Sequence, residues 1–337
     1  MAGLFPADNE IISPLVRPNQ QLQSGDIHAL AVSEYAGFTE TSLNRRSVLA
    51  DWVPMRRIVG TTTVHNYAIG ETKLDKVEPG VPPPSHGVDI SRASVTVDTL
   101  INARNVLPLL EEFQTQVEVR KHLGEEHGKT LAKFRDQALF IQAIKAARMS
   151  QSAYAKDGND VDGFKGGTRI ALTDANDVLD PAKMYRAVSD LETAMAEKDV
   201  DWVEDGIILA FRPKVFQALR DAEKIVNGEY VTADGTTKEG LVFKTFGAPV
   251  VKSNNVPNGN ITDHLLSNAG NSNAYNIDAR KVAGVALSTR ALLAGETIPL
   301  TSDVFYDKIW KCWFVDSHTA FAATPSRAEF AGIIELP

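Results

Sequence analysis

Cysteine is nearly missing from this chain: Cys312 is the only one, so no intrachain disulfide can form and a four-thiolate zinc site is excluded. A reducing cytoplasm suits such a composition. No run of about 18 apolar residues occurs, the length a helix needs to cross a bilayer, so no membrane span is expected. Met1 to Asn9 contains no basic residue and the first positive charge is Arg17, so no secretory signal is expected either. Positive charge is in deficit overall, with 35 Lys and Arg against 43 Asp and Glu and a formal charge of -8. A surface built to wrap phosphate needs a clustered basic excess, so tight nucleic-acid binding is not expected. A mildly acidic protein can still lie beside nucleic acid, held off by net repulsion.

What remains is ordinary for a folded protein. The 337 residues are 43% apolar and 23% charged, enough for one large domain or two modest ones, and they show no internal repeat. From Met1 to Gly25, Pro6, Pro14 and Pro18 stop any helix and predict a non-compact arm. Asp26 then caps a short amphipathic helix through Ile27, Leu30, Ala31, Val32 and Tyr35. Met55 to Leu100 reads as one long open hairpin, with Ile58, Gly60, Thr62 and Val64 outbound and Ile90, Ala93, Val95 and Val97 returning. Its arms of about 15 residues would extend on the order of 50 Å at ~3.3 Å per residue. The tip holds Lys73, Asp75, Lys76, Glu78, Pro79, Pro82, Pro83 and Pro84, a mixture that can neither form a ladder nor bury itself, so the hairpin needs a neighbour to lie on.

Pro108 is placed as the first-turn proline of the longest helix, which runs to Met149, ~60 Å at ~1.5 Å per residue. Leu110, Phe113 and Val117, then Leu131, Phe134, Ala138 and Ile141, make its apolar stripe. Between them Arg120, Lys121, Gly124, His127 and Gly128 interrupt it, and each glycine costs about 1 kcal/mol against alanine, so Gly124 and Gly128 mark a weak centre. Ser150 to Asp180 reads as a glycine-rich joint. Asp180 and Pro181 start a helix with Met184, Ala187, Val188, Leu191 and Met195 on one face. A strand at Gly206 to Phe211, a helix from Pro213, a polar Asn227 to Gly240 tip with an Asp234-Gly235 turn, and strands at Leu241 to Phe246 and Pro249 to Lys252 follow. The last strand candidates are Gly284 to Ala286, Leu292 to Leu300, Ile309 to Val315 and Phe330 to Leu336.

No catalytic or metal pattern survives inspection. His122 and His127 lie five apart, about 140° around a helix, whereas a zinc helix needs histidines four apart. Asp157 to Gly163 has the carboxylate density of a calcium loop, but Val161 occupies the fifth ligand position and Thr168 stands where the bidentate Glu belongs. Gly163 to Gly167 lacks the Lys-Ser/Thr ending of a phosphate loop, and no Gly-x-Ser-x-Gly elbow occurs. Cys312 sits beside Trp310 and Trp313 in an aromatic strand, where a thiol is an inert packing group. Lys73 and Lys76 put positive charge on the hairpin tip, where charge ordinarily serves only solubility.

The order of arm, hairpin, long helix, compact α/β unit and late strands resembles the shell-protein fold of tailed phages and of the herpesvirus capsid floor, an α+β architecture. The text is similar to major capsid proteins of short-tailed, double-stranded-DNA phages (podoviruses) of the autographivirus type over nearly the whole chain. The segments that carry the likeness are SGDIHALAVSEYAGF (24–38), 45–67, VTVDTLINA (95–103), IILAFRPKVFQAL (207–219), FGAPVVKSNN (246–255) and TPSRAEFAGII (324–334). The resemblance implies an N-arm with docking helix at 1–54, an E-loop at 55–101, a P-domain with spine helix (108–149) at 102–180, an A-domain at 181–300 and P-domain strands at 301–337. It implies subunit contacts at Lys73, Asp75, Lys76, Glu78, Pro82, Pro83 and Pro84, a flexible helix centre at Gly124 and Gly128, and an A-domain tip at Asp234 and Gly235. Implied partners are other copies in pentamers and hexamers, scaffold and portal proteins and a decoration protein, around DNA bound without sequence specificity. The place implied is the virion capsid, assembled in the host bacterial cytoplasm. No cofactor, metal or enzymatic activity is implied. An encapsulin-type compartment shares the fold, and a cytosolic α/β enzyme is the alternative of another class.

Overall fold

The computed structural model describes residues 47–49, 52–72, 74–76, 86–108, 119–155, 161, 163–221, 226–227, 230–231, 237–238 and 243–337. The expected arm and its Asp26-capped helix lie outside the described residues. The chain forms two compact units, a smaller one from Val97–Arg135 and Glu296–Phe321 and a larger one from Val48–Thr96, Asp136–Gly295 and Ala322–Pro337. In chain order the main strands are β1 (Met55–Arg57), β2 (Thr63–Ile69), β3 (Ile90–Thr96), β4 (Ile101–Pro108), β5 (Thr168–Ala171), β6 (Ile208–Phe211), β7 (Val226–Asn227), β8 (Phe243–Thr245), β9 (Ala248–Lys252), β10 (Val282–Leu287), β11 (Leu292–Asp307), β12 (Cys312–Pro325) and β13 (Ala331–Glu335). Among the described residues the α-helices are α1 (Val119–Arg148), α2 (Pro181–Ala196) and α3 (Pro213–Asp221).

The larger unit is organised by a seven-stranded sheet in the order β5-β13-β10-β6-β9-β8-β7. Strands β6, β10 and β13 are buried at every residue, which is why they read as continuous apolar runs without alternation. Strand β10 pairs antiparallel with both β13 and β6, while β6 with β9 and β13 with β5 are parallel. Helix α2 starts where Asp180 accepts hydrogen bonds from the Ala182 and Lys183 amides, with Pro181 in its first turn, and buries the five residues expected from its spacing. Leu191 and Met195 of that face lie against Gly332 of β13. Gly284 of β10 is covered by the Phe211 ring of β6, so an added Cβ would strike it. Gly284→Ala is therefore expected to cost about 1–3 kcal/mol by overpacking, read as a lower urea midpoint with an unchanged slope.

From Asp136 on, α1 is buried almost all round through Ala138, Leu139, Phe140, Ile141, Ala143, Ile144, Ala146 and Ala147. Asp136 itself is fully buried and accepts from the amides of Val48 (2.7 Å) and Leu49 (3.3 Å) and from Asn255 Nδ2 (2.8 Å). The helix ends against Gly166 and Gly167: the Gly167 amide donates to the Met149 carbonyl at 2.8 Å, and a Cβ there would run into the Ala146 and Ala147 backbone. That glycine run serves close backbone approach. Glu335 of β13 is buried between Arg148 (Nε at 2.8 Å) and Arg169.

In the smaller unit β12 pairs antiparallel with β4 over eight residues, from Cys312↔Pro108 to Thr319↔Ile101, and β11 lies on the other side of β12. One sheet face packs Val304, Trp313, Val315, Leu107 and Tyr306 on Leu123 of α1, and Ile101 and Leu300 on Leu131 and Ala132. On the sheet, Phe305 stacks on Phe314 at 5.1 Å, and the Arg104 guanidinium lies 5.8 and 5.7 Å from the two rings while bonding Asp316.

Several expectations are corrected. Pro108 ends strand β4 and does not start the helix, because it stands in register with Cys312 at the end of the ladder to β12; residues 109–118 lie outside the described residues. Helix α1, by contrast, is one continuous helix through Gly124 and Gly128, as expected, and both glycines are buried. Met55 to Leu100 is not one hairpin. Gly60, at φ 76, breaks the outbound arm, β1 stands beside the start of β11 with Ile58 against Gly295, and only seven residues on each side pair as β2 and β3. Ile309 and Trp310 belong to a turn and not to a strand with Cys312, since the Asp307 carboxylate accepts from both their amides. The joint at 150–180 contains strand β5, recruited by the edge of β13. β11 runs through the expected boundary at 300, and β13, grouped by sequence with the P-domain strands, lies within the seven-stranded sheet.

Candidate functional site

The β2–β3 hairpin pairs with no other strand among the described residues. Its register, Thr63↔Thr96 through Ile69↔Ile90, puts Val64, Asn66, Ala68, Ser91, Ala93 and Val95 on one face and His65, Tyr67, Ile69, Ile90, Arg92 and Ser94 on the other. The first face is its root. Ala68 and Ala93 pack with Tyr154, Val161 and Phe164, and Asn66 Nδ2 donates to Tyr154 Oη (2.9 Å) and Ser326 Oγ (3.2 Å), which share a 2.8 Å hydrogen bond. Tyr154 is buried, so its hydroxyl needs these partners. Tyr154→Phe removes one hinge of that triad without making a cavity. It is expected to cost about 1 kcal/mol and to raise protease cleavage within 63–96.

The second face is uncovered. Tyr67 is 63% exposed, Ile69 67% and Ile90 61%, with Val88 and Leu74 exposed further along. Isolated exposed apolar residues are normal; here Tyr67, Ile69 and Ile90 form one contiguous group on the outer face of a two-stranded ribbon. The Gly70 amide donates to the Asp89 carbonyl at 2.9 Å, and Asp75 pairs with His86 at 2.6 Å, so the arms stay together beyond the ladder. Of the tip residues named from sequence, Asp75 and Lys76 are exposed; Lys73, Glu78, Pro82, Pro83 and Pro84 lie outside the described residues, as do Asp234 and Gly235. The residues missed were Tyr67 and Ile69. Their alternation with Asn66 and Ala68 was the signal, readable only once the register was known.

A second exposed feature belongs to the smaller unit. The buried Asp307 carboxylate accepts from the amides of Ile309 (2.7 Å) and Trp310 (3.2 Å), and Lys311 closes the turn at φ 52. The turn presents Ile309 and Trp310, the latter 67% exposed, at the end of a long hairpin.

Among the described residues no three His, Cys, Asp or Glu side chains gather as a metal site, and no helix is long and apolar enough to cross a membrane. Burial pushes the Cys312 thiol up, as does nearby Asp307, away from thiolate character. His264, stacked on Tyr275 at 5.3 Å, is pushed down to about 4 by burial. His127 is lowered by burial against the opposing charge of Asp316, and its Nε2 lies 3.2 Å from Asn105 Oδ1.

The architecture is the mixed helix-and-sheet fold of tailed-phage major capsid proteins. The capsid structure of the cyanophage P-SCSP1u superposes with a TM-score of 0.71 at 17% identity, covering 86% of this chain and 88% of that one. The mature capsid of bacteriophage PhiM1 gives 0.69 at 21%, covering 86% and 87%, and a virus-like particle from Pyrococcus furiosus gives 0.52 at 14%, covering 90% and 99%. At such identities the likeness is one of fold. No protein-family model matches the sequence, and no curated protein matches it.

Proposed function

We propose that this chain is a structural, non-enzymatic major capsid protein of a short-tailed double-stranded-DNA phage of the autographivirus type. It assembles as pentamers and hexamers into an icosahedral head. The observation that carries the reading is the hairpin: one face is anchored to its own subunit, while the other holds Tyr67, Ile69 and Ile90 in solvent. A ribbon of this kind gains order when its apolar face rests on another copy. Residues 55–101 act as the E-loop, α1 as the spine helix, 181–300 chiefly as the A-domain and 1–54 as the N-arm. Each E-loop lies over the next subunit's spine helix and P-domain. Because every subunit engages several neighbours, individually weak contacts suffice and errors can be reversed. Scaffold, portal and decoration proteins complete the head, and the acidic chain encloses DNA without sequence-specific binding.

Electron microscopy of the purified protein tests this, with closed shells or misassembled sheets as the expected result. Elution as a uniform small oligomer, as for a cytosolic enzyme, would overturn it. Gly124 and Gly128 are proposed as the place where the spine helix changes between compact and expanded shells. Gly124→Ala with Gly128→Ala is expected to block assembly or expansion; normal particles of both sizes would remove that role.

A further inference from the structure

Asn258 and Gly259 form one of two Asn-Gly pairs in the chain, the other being Asn227 and Gly228. They lie within the larger unit, between β9 and a short strand at Asn260–Ile261. Asn258 is exposed. Beyond its chain neighbours, nothing lies within 4 Å of where a Cβ on Gly259 would stand. The Gly259 carbonyl accepts from the Ala279 amide at 2.9 Å, but its own N–H meets no acceptor among the described residues. A side-chain amide followed by an unhindered, unbonded backbone nitrogen is the arrangement that ring closure requires.

The partner of Asn258 is Arg212, which links β6 to α3. Its guanidinium is half-buried, forms no ion pair among the described residues, and has its Nε buried without a partner. Asn258 Oδ1 accepts from both of its terminal nitrogens, with Nη2 at 2.9 Å. The Arg212 carbonyl is itself held by the Phe216 amide at 2.9 Å, so the fork stands on fixed backbone. A neutral amide thus fills the bidentate position that best suits a carboxylate.

We propose that Asn258 is a modification site, where its carboxamide is lost as ammonia and the carboxylate that replaces it completes an ion pair with Arg212. The Gly259 nitrogen attacks Asn258 Cγ. A Gly259 N–Cγ bond forms, the Cγ–Nδ2 bond breaks, and Nδ2 leaves as ammonia with the proton from the Gly259 nitrogen. Solvent water then opens the five-membered imide, giving hydroxyl to one carbonyl carbon and a proton back to the Gly259 nitrogen. Opening at Cγ yields aspartate, with its carboxylate at Arg212; opening at the main-chain carbon yields isoaspartate. No oxidant or reductant is needed. Arg212 assists because it donates to the oxygen on which negative charge develops during the attack.

The purified full-length protein is incubated in mildly acidic and in mildly alkaline buffer, and its peptides are weighed and separated to score aspartate and isoaspartate at 258 and 227. Conversion at 258 is expected and should be faster in alkaline buffer, since the attacking nitrogen must lose its proton. Arg212→Met should slow it at least about tenfold while leaving 227 unchanged. Gly259→Ala should slow it as well, in a place with room for the methyl group and with the fold checked by circular dichroism. Asn258→Asp should raise the urea midpoint, because charge-assisted bonds to Arg212 replace neutral ones. Asn258 still intact when the same chain, unfolded in urea, has converted there overturns the proposal. So does an undiminished rate at 258 in either Arg212→Met or Gly259→Ala, and an Asn258→Asp midpoint no higher than that of the unaltered protein overturns the ion pair.

Discussion

Aspartate at both Ile69 and Ile90 is expected to leave a folded subunit that makes no shells. The two residues face each other across the β2–β3 ladder and are 67% and 61% exposed, so in the lone subunit the new carboxylates stay in water and cost only mutual repulsion. In a shell where this face is covered, each subunit buries two unpaired charges. Even after relaxation that costs several kcal/mol per ion, more than one weak contact returns, and the loss repeats at every E-loop position. Circular dichroism and the urea midpoint should stay close to those of the unaltered protein, while size exclusion shows small species and microscopy no particles. Normal heads from this variant would show that the exposed face is not a subunit contact.

Asp136→Ala is expected to give the largest loss of stability. Its carboxylate is fully buried and collects the Val48 and Leu49 amides and the Asn255 side chain, tying together segments that lie 88 and 119 residues away from it in the chain. Removing it orphans these donors, of which the Leu49 amide is buried and the other two are partly buried. Leaving buried groups of this kind unmet costs about 3–5 kcal/mol. Asp136→Asn keeps one acceptor oxygen but turns an NH2 toward existing donors, so an intermediate loss is expected. Urea unfolding of both variants, followed by fluorescence, decides it; midpoints within error of the unaltered protein would mean that the three bonds are replaced by water.

The elements readable from sequence were those governed by local rules. Helix α2 was legible because Asp180, Pro181 and the apolar spacing from Met184 to Met195 all agree. Strands β6, β10 and β13 were legible as short apolar runs between turn residues. Pro108 misled because a proline at the first helical turn and one at a strand end satisfy the same local constraint, a missing N–H; pairing with Cys312 decided between them. The β8–β9 turn was placed in the right region but not resolved, because Phe246 at φ 51 is a poor turn residue, held there by stacking on Tyr185 at 5.3 Å. Of the candidate site, the excursion between Met55 and Leu100 was legible in the composition. Which residues its exposed face presents was not, since a shift of one residue in register exchanges the two faces.

The sequence by itself determined much of the order of elements and the lack of an intrachain disulfide framework, because these depend on residue type and short-range spacing. Only the tertiary structure decided that Asn66, Tyr154 and Ser326 anchor the hairpin root, that β13 completes the large sheet, and that Arg212 holds Asn258. Those groups come from chain segments up to 260 residues apart, as Asn66 and Ser326 are, and it is folding of the chain that brings them within hydrogen-bond reach.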